Sequence, residues 1–167
     1  MTQKILITYA SRTRVTSGVA HIIGEELAKR GAKVDTHFIL DVNDVSAYDT
    51  VVVGSSIRYG HWLPEAVQFV KIHQRNLQKK KVAYFVVGMT LREDTQENRD
   101  TVLTALKQVR KWVEPIDIGL FAGALKPKKL DFIARMMTKL VKMPEGDFRD
   151  IPAIQAWAEK LAEQLKL

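Results

Sequence analysis

The chain has 167 residues, with 26 Lys+Arg against 19 Asp+Glu, a formal net charge of +7 and no cysteine. That length suits one domain spanning 1–167, and a hydrophobic share of 46% is enough to bury its core with no disulfide or metal staple. The missing cysteine excludes a disulfide scaffold, a thiolate nucleophile, a Cys-ligated zinc and a Cys-held iron–sulfur cluster, and His21, His37, His61 and His73 lack metal-binding spacing, so no metal site is expected.

Along the chain, strand and helix patterns alternate. Lys4–Tyr9 (KILITY) is a short apolar run with β-branched residues, a strand rather than a secretory leader. Thr16–Arg30 follows with helical spacing at Val19, Ile22, Ile23 and Leu27, and Gly31 is a suitable stop. Lys33–Leu40 alternates as a strand, and the polar run Asp41–Tyr48 reads as a loop. Thr50–Gly54 (TVVVG) has the continuous apolar character of a buried central strand. Pro64 fits the first position of a helix through about Leu77. Lys81–Gly88 is a further buried strand, Thr95–Val113 a helix, and Ile116–Leu125 the fifth strand. Leu130–Lys142 is a basic, apolar-rich helix, Pro144–Asp150 a loop, and Ile151–Leu167 a final helix with Ile154, Trp157, Ala158, Leu161 and Leu165 on one stripe.

The excess charge is concentrated. Residues 126–142 hold six basic side chains and one acidic, which makes this segment, within a basic insertion at 126–150, a candidate contact surface. The longest apolar stretch, around Ile118 to Leu125, falls far short of the roughly 20 residues of a membrane span. No helix-turn-helix, RNA-recognition or finger pattern supports nucleic acid as the partner. The expected location is the cytoplasm, with residues 126–142 as the candidate contact to the cytoplasmic face of an anionic membrane.

Five strands alternating with helices imply an α/β fold, a doubly wound parallel sheet covered on both faces. Order 2-1-3-4-5 is the expected topology, with the helical insertion before the last helix. Ligands in such sheets bind outside the carboxyl ends of the strands, so the informative residues follow Tyr9, Gly54 and Gly88. After the first strand, Ser11, Thr13 and Thr16 put three hydroxyls at the mouth of a helix, whose free N–H groups and dipole favour an anion such as phosphate. A plain Ser or Thr helix cap explains one of these hydroxyls but not three. After the third strand, Gly54 and Gly60 bracket a polar-aromatic stretch in which Tyr59 and Trp62 offer faces for a flat ring system. After the fourth, Gly88-Met89-Thr90-Leu91-Arg92 offers backbone and one cation to the edge of that ring. The chain lacks the G-x-x-x-x-G-K-[ST] and G-x-G-x-x-G motifs, and no acid follows the third strand to accept a phosphoryl group.

Ser11-Arg12-Thr13-Arg14-Val15-Thr16 resembles the phosphate loop of flavodoxins, [ST]-x-T-G-x-T, with Arg14 where that family usually has Gly. Val53-Gly54-Ser55-Ser56-Ile57-Arg58-Tyr59-Gly60-His61 resembles the ring-binding loop of the menaquinone-dependent protoporphyrinogen IX dehydrogenases, a flavodoxin-like branch. Ala122-Gly123-Ala124-Leu125, the Met-rich helix after it and Gly146-Asp147-Phe148-Arg149-Asp150 are similar to the same branch. The resemblance implies FMN as cofactor, held by Ser11 to Thr16, by Ser55, Ser56, Ile57, Arg58, Tyr59 and Gly60, and by Gly88, Met89, Thr90, Leu91 and Arg92. It implies an oxidoreductase that takes six electrons from a porphyrinogen and passes them through FMN to a membrane quinone.

Flavin chemistry agrees with a chain that offers no thiol and no nucleophilic triad. Arg14, Arg58 and Arg92 on the cofactor loops are expected to favour the anionic reduced ring by Coulomb attraction. His61 is the candidate for proton transfer, and Arg149 between two acids reads as a structural ion pair. Besides a contact to an anionic bilayer, the basic segment 126–142 has two further readings: a wall of a pocket for a porphyrin with propionates or for a quinone, and an ordinary helix packed on the sheet edge with a solvated basic face. For the chain as a whole, two other readings stand beside the oxidoreductase. The first is a flavodoxin-type electron carrier with a protein partner. The second is a flavodoxin-fold interaction module with no cofactor, which Arg14 in the Gly position keeps open.

Overall fold

The computed structural model describes residues 1–125, 132–140 and 146–167. The strands of the main sheet are β1 (Lys4–Ala10), β2 (Lys33–Phe38), β3 (Thr50–Arg58), β5 (Lys81–Gly88) and β6 (Asp117–Ala122), and β4 (His61–Trp62) folds back on the end of β3. The order is β2-β1-β3-β5-β6, all parallel, with β4 antiparallel to β3. The flavodoxin-like topology expected from the alternation is therefore the one observed.

The strands read as apolar runs because both faces are covered. On β1 the side chains alternate: Ile5 and Ile7 face one layer and Leu6 the other, all fully buried. The first layer is α1 (Val15–Lys29) with α7 (Ile151–Leu165), which place Val19, Ile23, Leu27, Ile154, Ala158 and Leu161 against Ile5, Val52 and Phe85. The second is α2 (Pro64–Ile72), α3 (Gln74–Leu77), α4 (Gln96–Thr104) and α5 (Lys107–Trp112), with Ala66, Phe69, Val70, Leu77, Val102 and Val109 against Leu6, Val53 and Tyr84. α1 ends in paired bonds from the Gly31 N–H to Ala28 O and from the Ala32 N–H to Leu27 O, which satisfy its last carbonyls.

Three boundaries differ from the sequence pattern. The third strand continues past Gly54, because Ser55 and Ser56 pair through their backbones with Ala10, Val86 and Val87 whatever their side chains are. The helix expected over Pro64–Leu77 breaks at His73, and the one expected over Thr95–Val113 breaks after Thr104. At the second break the Ala105 and Leu106 N–H groups turn to Val102 O and Leu103 O, and the helix restarts at Lys107 with Leu106 and Val109 still buried.

The insertion starts and returns at the carboxyl end of the sheet. β7 (Ala124–Leu125) pairs antiparallel with β8 (Gly146–Asp147), part of the stretch expected as a loop. The Gly123 N–H bonds Gly88 O at 3.2 Å, and the Phe148 N–H bonds Gly123 O at 3.0 Å. Between these strands, α6 covers Phe132–Leu140. Of the basic helix expected over Leu130–Lys142, the flanking residues, among them Lys126, Lys128, Lys129, Leu130, Val141 and Lys142, lie outside the described residues.

Candidate functional site

The ends of β1, β3, β5 and β6 converge on a cavity of about 330 Å³. It is lined by Arg12, Thr13, Val15 and Thr16 after β1, by Ser56 to Gly60 at the end of β3, and by Val87 to Thr90 after β5. Gly123, Ala124 and Leu125 after β6 close one side, and Met137 of α6 reaches the lining.

At one end the start of α1 is left open to an anion. Its N-cap is Arg14, whose side chain makes no cap bond to the first turn. The first intrahelical bond is from the Gly18 N–H to Arg14 O, so the N–H groups of Thr16 and Ser17 precede the ladder. The Ser11 hydroxyl donates to Thr13 O and accepts from the Thr13 N–H at 3.1 Å, which ties the loop to itself. Thr13 Oγ1 takes only a long contact, 3.4 Å, from the Val15 N–H, leaving its proton unspent. Thr16 is 99% buried, and its Oγ1 has no hydrogen-bond partner. A buried hydroxyl without a partner costs roughly 1–3 kcal/mol, and a phosphate oxygen at this helix start would remove that cost. The hydroxyls and open N–H groups fit a phosphate-bearing cofactor.

Arg14 does not disturb this cradle. Its φ of −79° is ordinary for any residue, so the position does not need glycine. Its side chain is exposed and lines a separate surface hollow with Tyr9, Ser17 and Phe38. Arg12 is held across the site by a bidentate ion pair with Glu65, which draws the Glu65 carboxyl below its usual range.

The far end of the cavity is shaped by the β3–β4 hairpin. Arg58 pairs with His61, and the two residues between, Tyr59 and Gly60, both have positive φ, +52° and +77°. That is the geometry of a tight two-residue turn matched to strand twist. Glycine adopts it freely; Tyr59 does not, and holding a bulky residue there costs of the order of 1–3 kcal/mol. The tyrosine ring stands 65% exposed at the mouth, with the Arg58 guanidinium 5.9 Å from its centre. Arg58 has no ion pair with any described residue.

Several residues singled out in the sequence lie elsewhere. Ser55 is fully buried and braces the hairpin, donating to Ser56 O and accepting from the Leu63 N–H at 3.1 Å. Leu91 is buried outside the cavity lining, and Arg92 is exposed with its guanidinium on Met89 O. Of the three arginines expected around the ring, only Arg58 lines the cavity. Gly54 serves the core rather than the site: a Cβ there would lie 1.9 Å from Cζ of Phe85, so the glycine makes room for that ring. His61 is exposed on the neighbouring groove, and Arg149 pairs with Asp147 at 2.6 Å. The sequence pattern missed Val87, Gly123 to Leu125 and Met137 as lining residues. The strand-end rule covers the first four once it is applied to every strand, whereas Met137 arrives through the path of the insertion.

Comparison with known proteins agrees with this geometry. A family model described as a flavodoxin domain matches residues 6–151. Protoporphyrinogen IX dehydrogenase [quinone] of Escherichia coli (strain K12) is 30% identical over 149 residues, covering 86% of this chain and 82% of that protein. The protein of the same name from Leishmania major is 28% identical and matches 88% of this chain and 65% of its own length. Among solved structures, oxidised Flavodoxin 2 from Bacillus cereus superposes with a TM-score of 0.60 at 25% identity, covering 96% of this chain and 99% of that one. A flavodoxin from the domain Archaea gives 0.61 at 18% identity, a likeness of fold, over 98% and 99%.

Proposed function

The chain belongs to the flavodoxin-domain family, and from that premise we propose that it is an FMN-dependent oxidoreductase that takes electrons from protoporphyrinogen IX and delivers them to a quinone. The observation that carries the reading is the uncapped start of α1, with the orphaned Thr16 hydroxyl, at one end of a cavity walled by three loops. The relatives named protoporphyrinogen IX dehydrogenase [quinone] support the substrate and acceptor.

FMN, when bound, supplies the electron-accepting ring in a chain that has no cysteine. The chain supplies the rest. Thr13, Thr16 and the first N–H groups of α1 hold the phosphate. Ser56 to Gly60 and Gly88 to Thr90 line the cavity where the ring would sit, and Gly123 to Leu125 with Met137 would shield it from water. Arg58, which lines the cavity, would put a positive charge near a bound ring and would favour its reduced, anionic form. His61, at the exposed edge, is the candidate acceptor for a proton leaving the substrate. Protoporphyrinogen IX gives up six electrons and six protons to become the aromatic porphyrin, so three quinones are reduced to quinols per substrate.

Residues 126–142 belong to the same reading as a contact to an anionic membrane surface, where a quinone resides. Among the described residues no helix is long and apolar enough to cross a membrane.

The test is anaerobic mixing. Purified protein carries a flavin absorbance that bleaches with protoporphyrinogen IX and returns on adding a menaquinone analogue. A colourless protein that takes up no added FMN, or a bound flavin that stays oxidised with this donor, overturns the reading.

A further inference from the structure

Beside the ring cavity lies a wider groove of about 730 Å³, and the two share Arg12, Arg58 and Tyr59. One wall is Trp62, Leu63 and Pro64, from the end of β4 and the entry to α2; the other is Phe132 and Ile133 at the start of α6. Phe132 and Ile133 are 74% and 71% exposed, so this wall has no cover. The groove is therefore apolar along these two walls, with His61 as a further polar lining residue, and cationic where it meets the ring cavity. The two cations there are not equivalent. Arg12 is neutralised by Glu65, and Arg58 has no carboxylate among the described residues. A neutral quinone offers a spare guanidinium only single carbonyl acceptors, a weaker match than the charge-assisted, bidentate pairing of a carboxylate. An apolar macrocycle with acidic side chains matches both features, because its face covers the exposed aromatic and aliphatic wall and its acid answers the unpaired charge.

We propose that this groove is the electron-donor site, where a carboxylate-bearing macrocycle lies against Phe132 and Ile133 and one carboxylate pairs with Arg58. The proposal rests on the reading above, which places the accepting ring in the adjoining cavity. It makes Arg58 a specificity-determining residue, and it gives the insertion a role in building the site.

The probes are protoporphyrin IX and its dimethyl ester, which share a macrocycle and differ in charge. The protein is saturated with FMN, so that flavin affinity does not enter, and each porphyrin is titrated in by fluorescence in the same dilute non-ionic detergent. The native protein binds the diacid about tenfold tighter than the diester, the scale of one charge-assisted hydrogen bond in a partly exposed site. Arg58→Gln binds the two alike, and Arg58→Lys recovers part of the preference. Ile133→Ser, on an exposed helix face where folding is not at stake, weakens both porphyrins by a similar factor and keeps their ratio. A native protein that binds diacid and diester alike, or an Arg58→Gln protein that keeps the preference, overturns the proposal. The two readings fail separately. A flavin left oxidised by the reduced macrocycle, with the carboxylate preference intact, removes the dehydrogenase reading and supports the binding site.

Discussion

Thr16 shows how one residue can point to a missing partner. Its hydroxyl is buried with no partner among the described residues, at a helix start whose N-cap residue, Arg14, makes no side-chain cap bond. Replacing it with valine keeps the shape and removes the unsatisfied group, so the cofactor-free protein is expected to keep its stability or gain about 1 kcal/mol. FMN affinity moves the other way. A lost hydrogen bond to a charged group, roughly 1.5–3 kcal/mol, weakens it by about tenfold or more. Calorimetric titration of Thr16→Val with FMN measures this, and an unchanged Kd would remove Thr16 from the phosphate site. The hydroxyl spacing in the sequence singled out this loop, and Thr13 and Thr16 line the cavity. What the spacing did not separate is the division of labour within the loop: Ser11 ties the turn together while Thr16 is left free. Side-chain roles of this kind depend on which staggered rotamer each hydroxyl adopts, and residue types do not encode that one position at a time. Tyr59 is similar. Its aromatic ring was legible as a feature of the site, but its left-handed backbone was not, because nothing about a tyrosine announces φ of +52°.

Elements were easier to read than residues because periodicity sums over many positions. All five parallel strands and their order followed from the alternation of apolar runs with helical stripes, although the run expected as the fifth strand divides at Gly123 into β6 and β7. The misreadings sit where backbone geometry, not apolar content, decides. Gly54 looked like a strand end before a ligand loop; it is an interior position that lets Phe85 pack across β3. Gly54→Ala is expected to destabilise the protein by about 3 kcal/mol or more through overpacking in the central strand. Urea unfolding measures the loss, and adding Phe85→Leu to make room should restore part of it. The break between α2 and α3 was equally invisible, since His73 is no worse a helix residue than its neighbours. Its ring packs 4.5 Å from that of Phe69, and burial lowers its pKa, a shift that attraction from Asp44 only partly offsets. The folded state therefore binds the proton less readily than the unfolded chain, whose histidine titrates near 6.5. Stability from this group is complete above that pH and declines as pH falls through it toward the lower folded value. Urea midpoints at pH 7.5, 6.5 and 5.5 should fall more steeply for the native protein than for His73→Gln. Parallel slopes would show that His73 carries no such linkage.

At the scale of the whole molecule, charge and shape argue in the same direction. The net charge of +7 is uneven, with six of the basic side chains in the 17 residues 126–142. The insertion leaves and rejoins the sheet through the β7–β8 ribbon, and Leu125 of that ribbon and Met137 of α6 line the cavity. Within the insertion, Phe132, Ile133, Met136 and Met137 are all exposed, and they recur at spacings of one, three and four on α6. A helix that turns apolar side chains outward, in a segment rich in lysine, has the two components of interfacial binding: insertion of the apolar face and attraction to anionic headgroups. The attraction is worth about 1 kcal/mol per basic residue near the surface and is screened by salt within a distance of about 10 Å at 0.1 M. The expected behaviour is co-sedimentation with phosphatidylserine-containing vesicles at low salt and much less with phosphatidylcholine alone. Raising the salt to 0.5 M should release most of the protein. A Phe132→Ser, Ile133→Ser double variant should bind anionic vesicles less tightly at every salt concentration, because it removes the insertion term and leaves the charges in place. Lys139→Ala should act differently, lowering binding at low salt and shallowing its salt dependence. If all three proteins sediment alike, or none responds to anionic lipid, the helix serves only the groove it walls. The donor would then enter from solution, and the quinone would have to reach the flavin by another face.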